Sequence, residues 1–163
     1  MMVKMRMVFE NEPIVVNPIG IIHSPFQQRG DAPRQGRWSD FESELEIFPP
    51  FREGLKDIDR ASHLIVLYWG NRADRTVLQS RTPFSEIPMG VFATRSPNRP
   101  NPIAFCVAEV IQQQGDRLTV RGLDALDGSP LLDIKVYAPA VDCVPEAVHD
   151  HVEPKDRFSQ DEG

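Results

Sequence analysis

Arginine and asparagine are packed between prolines in Thr94-Arg95-Ser96-Pro97-Asn98-Arg99-Pro100-Asn101-Pro102, the least ordinary stretch of this sequence. The prolines fix φ and remove backbone donors, so the loop is stiff before any ligand arrives, and Arg95, Asn98, Arg99 and Asn101 project from it. Polar groups held in advance bind at a lower ordering cost. The competing reading is a rigid crossover between strands whose polar groups are merely solvated. A second segment, Leu123-Asp124-Ala125-Leu126-Asp127-Gly128-Ser129-Pro130, contains Asp127-Gly128, a standard turn pair. Asp124, three residues earlier, makes it a candidate two-carboxylate loop, suited to ribose hydroxyls, a cationic amine or a sulfonium. A third, Pro33-Arg34-Gln35-Gly36-Arg37, follows Ser24-Pro25-Phe26 in a long polar connection. Arginine's planar fork matches phosphates and carboxylates in a way that lysine's point charge does not.

Other chemistries find no support in the spacing. His63 precedes an apolar run and reads as a structural histidine. His149-Asp150-His151 lacks a third ligand nearby, so no metal site is expected. Cys106 and Cys143 form neither a disulfide framework nor a zinc pattern. No two of the ten glycines make a GxG, which excludes both the dinucleotide fingerprint and a P-loop. No catalytic nucleophile with its partners is identifiable.

The elements that must position these loops are strands. Fifteen prolines leave few windows with helical periodicity. Strands are expected at Ile14–Ile22, Glu44–Phe48, Leu64–Trp69, Gly90–Thr94, Ile103–Ile111, Arg117–Gly122 and Leu131–Tyr137, with a hairpin turn over Gln112–Asp116. One short helix is expected near Phe51–Ser62, where Leu55 and Ile58 share a face. A sheet of many short strands closes on itself to remove its edges. The expected fold is therefore mainly β: a small closed or nearly closed barrel with few short helices, and not a Rossmann fold. Residues 1–12 are expected to be a loosely attached N-terminus, 13–140 the barrel domain and 141–163 an acidic tail.

Charge placement sharpens the net value of −6: from Val141 onward seven carboxylates face Lys155 and Arg157, so residues 1–140 sum to only −1. Within that body Arg29, Arg34, Arg37, Arg72, Arg75, Arg81, Arg95 and Arg99 fall in loop-like segments. The longest apolar run, Leu64–Trp69, is far short of the roughly 20 residues of a membrane span. No signal-peptide core follows Met1, so a soluble cytoplasmic protein with free thiols is expected, without membrane association.

Gly90-Val91-Phe92-Ala93-Thr94-Arg95-Ser96, continued by Arg99-Pro100-Asn101-Pro102-Ile103, closely resembles the signature of the TsaA-like (TrmO-type) family. Its characterised members are tRNA threonylcarbamoyladenosine methyltransferases. Pro18-Ile19-Gly20-Ile21-Ile22 with Ser24-Pro25, Pro33-Arg34-Gln35, and Leu123-Asp124 through Pro130 with Asp133-Ile134-Lys135 share the resemblance, in order, over roughly Asn17 to Tyr137. It implies a β-barrel enzyme using S-adenosylmethionine, active as a homodimer, that methylates N6 of threonylcarbamoyladenosine in tRNA next to the anticodon. It further implies cofactor contacts from Gln35, Gly36 and Arg37, from Asn71 and Arg72 after the His63 strand, from Arg95, and from Asp124, Ala125, Leu126 and Asp127. Arg99, Asn101 and Lys135 are the candidates for tRNA or the threonyl carboxylate. The chain departs from the family where Gly70-Asn71 follows Tyr68-Trp69 in place of a frequent histidine. Longer bacterial relatives carry a further C-terminal domain where an acidic tail is expected here.

The implied reaction is an in-line methyl transfer to a nitrogen whose lone pair is delocalised, so donor and acceptor must be aligned and a proton must leave. A carboxylate such as Asp124 or Asp127 is a candidate acceptor, with an arginine facing the charge that develops on the carbamoyl oxygen. Two other functions remain open: a methyltransferase for another small molecule or nucleic acid, and a non-catalytic module binding S-adenosylmethionine or RNA. A purely structural β domain is the third.

Overall fold

A computed structural model describes residues 14–82 and 85–148. The strands are β1 (Gly20–His23), β2 (Glu42–Ile47), β3 (His63–Trp69), β4 (Gln79–Thr82), β5 (Ser85–Gly90), β6 (Ile103–Gln114), β7 (Arg117–Arg121) and β8 (Ser129–Val136). Six of them close into an antiparallel barrel in the order β1-β2-β7-β6-β3-β8, and β4 and β5 form a separate two-stranded arm. This is the expected β-barrel.

Period-2 alternation explains the closure. Leu45 and Ile47 on β2, Leu64, Val66 and Tyr68 on β3, Leu118 and Val120 on β7, and Leu131 on β8 are buried and point inward. Intervening residues face out, where Arg117 pairs with Glu44 and Glu46, and Arg121 with Glu42 and Glu109. β6 is long enough to serve two neighbours. Its first half, Ile103 to Glu109, pairs with β3 and its second half with β7, with a register shift between Val110 and Gln112 that lets the strand bend round the barrel. The β6–β7 hairpin turns at Gly115, whose φ of 62° suits glycine.

β1 is the closing strand, paired with β2 on one side and β8 on the other. It is shorter than expected, because Ile14, Val15 and Val16 are exposed (93%, 77% and 57%) and pair with nothing in the sheet. The helix expected over Phe51–Ser62 is instead two 3-10 turns, Pro49–Leu55 and Ile58–Arg60. They are separated by Asp57 in the left-handed region at φ 63°, which stops helical continuation. The expected strand Gly90–Thr94 ends at Gly90 and gives way to a 3-10 turn over Val91–Ala93. The polar strand β4 was not anticipated. Among the described residues one short α-helix, α1 (Pro139–Asp142), follows β8, and no helix is long and apolar enough to cross a membrane. The His149-Asp150-His151 motif and residues 1–12 lie outside the described residues.

Gly20 permits the β1–β2 approach, since a Cβ there would lie 2.2 Å from the Glu46 carbonyl oxygen and 3.2 Å from Leu131. Gly20→Ala is expected to cost about 1–3 kcal/mol. Gly54→Ala, whose Cβ would meet nothing within 4 Å, should stay within about 0.5 kcal/mol. Denaturant melts of both variants check the contrast.

Candidate functional site

An antiparallel barrel has two ends, and the order of its strands assigns each connection to one of them. Segments 24–41 (β1 to β2), 70–102 (β3 to β6, carrying the β4–β5 arm) and 122–128 (β7 to β8) leave by the same end. The three segments singled out in the sequence thus converge there, while the opposite end carries 48–62 and the Gly115 turn.

Hydrogen bonds stitch the first and third segments together. Ser24 donates its main-chain N–H to Asp127 Oδ1 (3.0 Å) and its hydroxyl to the Ala125 carbonyl (2.7 Å). Asp127 N–H donates to the Phe26 carbonyl (2.7 Å) and Gly128 N–H to that of Ile22 (2.8 Å). Ser129 N–H closes the turn on the Leu126 carbonyl (3.1 Å), with Gly128 at φ 79°, so Asp127-Gly128 forms the expected turn. Arg72 ties in the second segment, donating to the Gln27 carbonyl (2.6 Å) and more distantly to that of Asp127 (3.5 Å). Asn98 Oδ1 accepts from Arg29 (2.5 Å) and from the Asp74 N–H (2.9 Å). Arg75 donates to the Pro100 carbonyl (2.8 Å) and lies 5.3 Å over the Trp69 ring.

Beneath the loops sits a polar knot. Tyr68 and Cys106, each only 6% exposed, both point into the barrel at its loop end. The Tyr68 hydroxyl donates to Asp124 Oδ1, and the Cys106 thiol donates to the same oxygen (3.1 Å). Burial, and after it the Asp124 carboxylate, pushes the Cys106 thiol up to about 12 and raises the Tyr68 phenol far above its usual range. Both groups therefore keep their protons, and remain donors, throughout the neutral range. Gly36 packs on the knot: a Cβ there would stand 2.3 Å from the Gly122 carbonyl oxygen and 2.9 Å from Cys106 Sγ.

The sequence-predicted residues divide by position. Gln35, Gly36 and Arg37 border the knot from a 3-10 turn, Gly36 buried and Arg37 exposed. Asp124, Ala125, Leu126 and Asp127 form its rim. Arg95 lies 5.8 Å over Phe105, on the strand that carries Cys106. Asn71 and Arg72 are exposed just past the end of β3, and Asn101 is exposed at the end of the Pro-rich loop. Arg99 turns back on its own loop, donating to the Ser96 (2.8 Å), Val91 (2.6 Å) and Thr94 (2.5 Å) carbonyls. Lys135 is not brought to this site. It pairs with Asp133 (2.8 Å) opposite Ile65, three residues and about 10 Å along β3 from Tyr68. His63 is also at the far end, beside Ser62.

A groove of about 730 Å³ opens at that far end, lined by apolar side chains such as Leu55, Ile58, Leu64 and Ile134. We place the candidate site at the loop end because the half-buried Asp124 carboxylate, its donors and the arginine loops converge there. Sequence reasoning missed Tyr68 and Cys106. The signal was present: Leu64, Val66 and Tyr68 share a face, and a buried tyrosine needs a partner for its hydroxyl. Among the described residues no group of three or more His, Cys, Asp or Glu is placed to hold a metal.

Comparison with known proteins places this geometry. Residues 21–143 match the family model described as the tRNA-methyltransferase O N-terminal domain. An S-adenosyl-L-methionine-binding protein of Archaeoglobus fulgidus is 51% identical over 131 residues, 80% of this chain and 94% of that one. A crystal structure of TrmO from Pseudomonas aeruginosa superposes with a TM-score of 0.73 at 36% identity, over 86% of this chain. A second, from the same organism, gives 0.70 at 34% identity over 88%. The chain spans only 62% and 64% of those two solved chains.

Two expectations follow from the geometry. Since the folded state holds the Cys106 proton at pH values where the unfolded chain has lost it, stability should fall as pH rises from about 9 through about 12. Tyr68 adds to that loss above its ordinary value of 10.0, and thermal melts of Cys106→Ala should show a shallower alkaline decline than the parent. For the Pro-rich loop, Arg99→Lys replaces a fork spanning three carbonyls with one ammonium. Amide hydrogen exchange over residues 91–102 should quicken severalfold while barrel amides stay protected.

Proposed function

Because this chain belongs to the family of the tRNA-methyltransferase O N-terminal domain, we propose that it methylates N6 of threonylcarbamoyladenosine in tRNA, beside the anticodon. It uses S-adenosylmethionine as donor. The observation that carries this reading is that the family match, residues 21–143, takes in all three connections that meet at the loop end of the barrel. The relative from Archaeoglobus fulgidus, named for binding S-adenosyl-L-methionine, aligns over nearly its whole length.

The donor set at the loop end suits that cofactor. Asp124 and Asp127 offer carboxylate oxygens for ribose hydroxyls and cationic groups, and each has its other oxygen engaged by protein donors. Gln35, Gly36 and Arg37 on one side, and Asn71, Arg72 and Arg95 on the other, complete the proposed cofactor contacts. When bound, the cofactor supplies a methyl group activated by a sulfonium. The loops of this chain supply alignment, held by the Arg72, Arg75 and Asn98 bridges before substrate arrives. Asn101, exposed at the end of the Pro-rich loop, is a proposed contact for RNA. Arg99 serves that loop by bracing it, and a role for Lys135 requires substrate that reaches along the barrel wall. Leu78, Ile87 and Phe92, exposed on and beside the β4–β5 arm, suit a second copy of the chain, which would make the enzyme a homodimer.

The test incubates the protein with labelled S-adenosylmethionine and two tRNA pools, one bearing threonylcarbamoyladenosine and one lacking it, followed by nucleoside mass spectrometry. Label confined to the modified pool is the expected outcome. Label in both pools would redirect the activity to another nucleotide, and cofactor binding without transfer to either would favour a binding module. Asp127→Ala should lower turnover by about tenfold or more through loss of the Ser24 contact and of the loop geometry, read in the same assay.

A further inference from the structure

A carboxylate on a loop rotates freely unless something holds it, and a ligand that binds it then carries the cost of fixing it. Asp124 is half-buried on the 122–128 connection, yet its orientation is set from below by two strands that the loop does not belong to. Tyr68 comes from β3 and Cys106 from β6. These strands are neighbours in the barrel, with Tyr68 opposite Ala104 and Val66 opposite Cys106. Both side chains point inward and are almost fully buried, and both aim their donors at one oxygen of Asp124.

We propose that Tyr68 and Cys106 are positioning residues for cofactor binding. Their O–H and S–H hydrogen bonds to Oδ1 hold the Asp124 carboxylate in one orientation, so that Oδ2 accepts from donor groups of S-adenosylmethionine without first being ordered. The inference rests on the S-adenosylmethionine reading given above.

Three physical points support it. Neither donor is available for any other task, because each is enclosed and its proton is retained far into the alkaline range. Two donors on one oxygen saturate that side of the carboxylate and bias its ligand-accepting capacity to the other oxygen. Finally, most of the buried residues packed around them are apolar, Leu123, Ala125 and Leu131 among them. A tyrosine hydroxyl and a thiol in such surroundings cost stability unless satisfied. A phenylalanine and an alanine would fill the same space without a polar group, so the polar pair answers to the carboxylate above it and not to the core around it.

The test uses the whole protein in a Cys143→Ser background and reads two quantities. The first is S-adenosylmethionine affinity by calorimetry, with the KM for S-adenosylmethionine and kcat in the tRNA assay. Tyr68→Phe should weaken binding and raise KM by about tenfold while kcat at saturation holds. Cys106→Ala should do likewise, and Cys106→Ser, which restores an O–H donor, should recover most of the affinity. In an Asp124→Asn background, Tyr68→Phe should produce no further loss. A merely structural role would instead lower kcat through a smaller active fraction, leave KM unmoved and add to Asp124→Asn, and that pattern overturns the proposal. The second quantity is the Cys106 ionisation, followed by thiolate absorbance without any ligand. Asp124→Asn should lower it from about 12, and an unchanged value overturns the knot itself. A parent protein that binds no S-adenosylmethionine removes the functional reading and the proposal with it. A parent that binds while Tyr68→Phe binds equally well removes the proposal alone.

Discussion

The seam between β1 and β8 is the constraint on which the rest of the molecule depends. β1 is four residues long, and it is all that separates a closed barrel from an open sheet with two edges. The seam also continues past the strand. Ile22 and Phe26 accept the N–H groups of Gly128 and Asp127, while Ser24 clasps Asp127 and Ala125. The hydrogen bonds that complete the barrel thus run without a break into those that set the 122–128 loop against the 24–41 loop. Closure and the shape of the candidate site are one event, which is why a short glycine-led strand carries consequences out of proportion to its length.

The same end of the barrel inverts the usual rule for interiors. Elsewhere the inward positions are Leu, Ile, Val and Ala; at the loop end they become Tyr68, Cys106 and Ser129, with Ser43 nearby. Ser129 spends its hydroxyl on the Leu126 carbonyl (2.6 Å), and Tyr68 and Cys106 spend theirs on Asp124. Tyr68, Cys106 and Ser129 are tolerated there because each has a partner on a loop that must be held still, whereas the buried Ser43 hydroxyl has none. The core becomes polar where the site begins, and apolar burial resumes one layer further in.

Much of this was legible in the sequence, for reasons that differ by element. β3, β7 and β8 announce themselves by alternation, and the Asp127-Gly128 and Gly115 turns by residue type. β1 is shorter than its sequence suggests because Ile14, Val15 and Val16 look like strand but are exposed and cover no facing surface. β4, reading Gln79-Ser80-Arg81-Thr82, gives no strand signal because it carries no apolar side chain and pairs only with β5. The 51–62 segment has a helical hydrophobic pair, but Pro49, Pro50 and Asp57 confine it to 3-10 turns. The loop motifs carried the site in the sequence, but the knot beneath them did not show, since it exists only once β3 and β6 are in register. For the same reason Lys135, close in sequence to the Asp124 loop, ends up far from it: β8 runs away from the loop end.

The arginines of the loops show why net charge was a poor guide. Arg72, Arg75 and Arg99 direct guanidinium donors at main-chain carbonyls of the irregular segments around them. Such segments lack the regular ladders that satisfy carbonyls in strands, and an arginine fork reaches two or three of them from one side chain. A lysine presents its donors at a single point and could not span Val91, Thr94 and Ser96 as Arg99 does. The cationic composition of the loops is in large part a consequence of how irregular backbone is held in shape. A sum of charge over the whole chain therefore says little about what the loops present to a ligand.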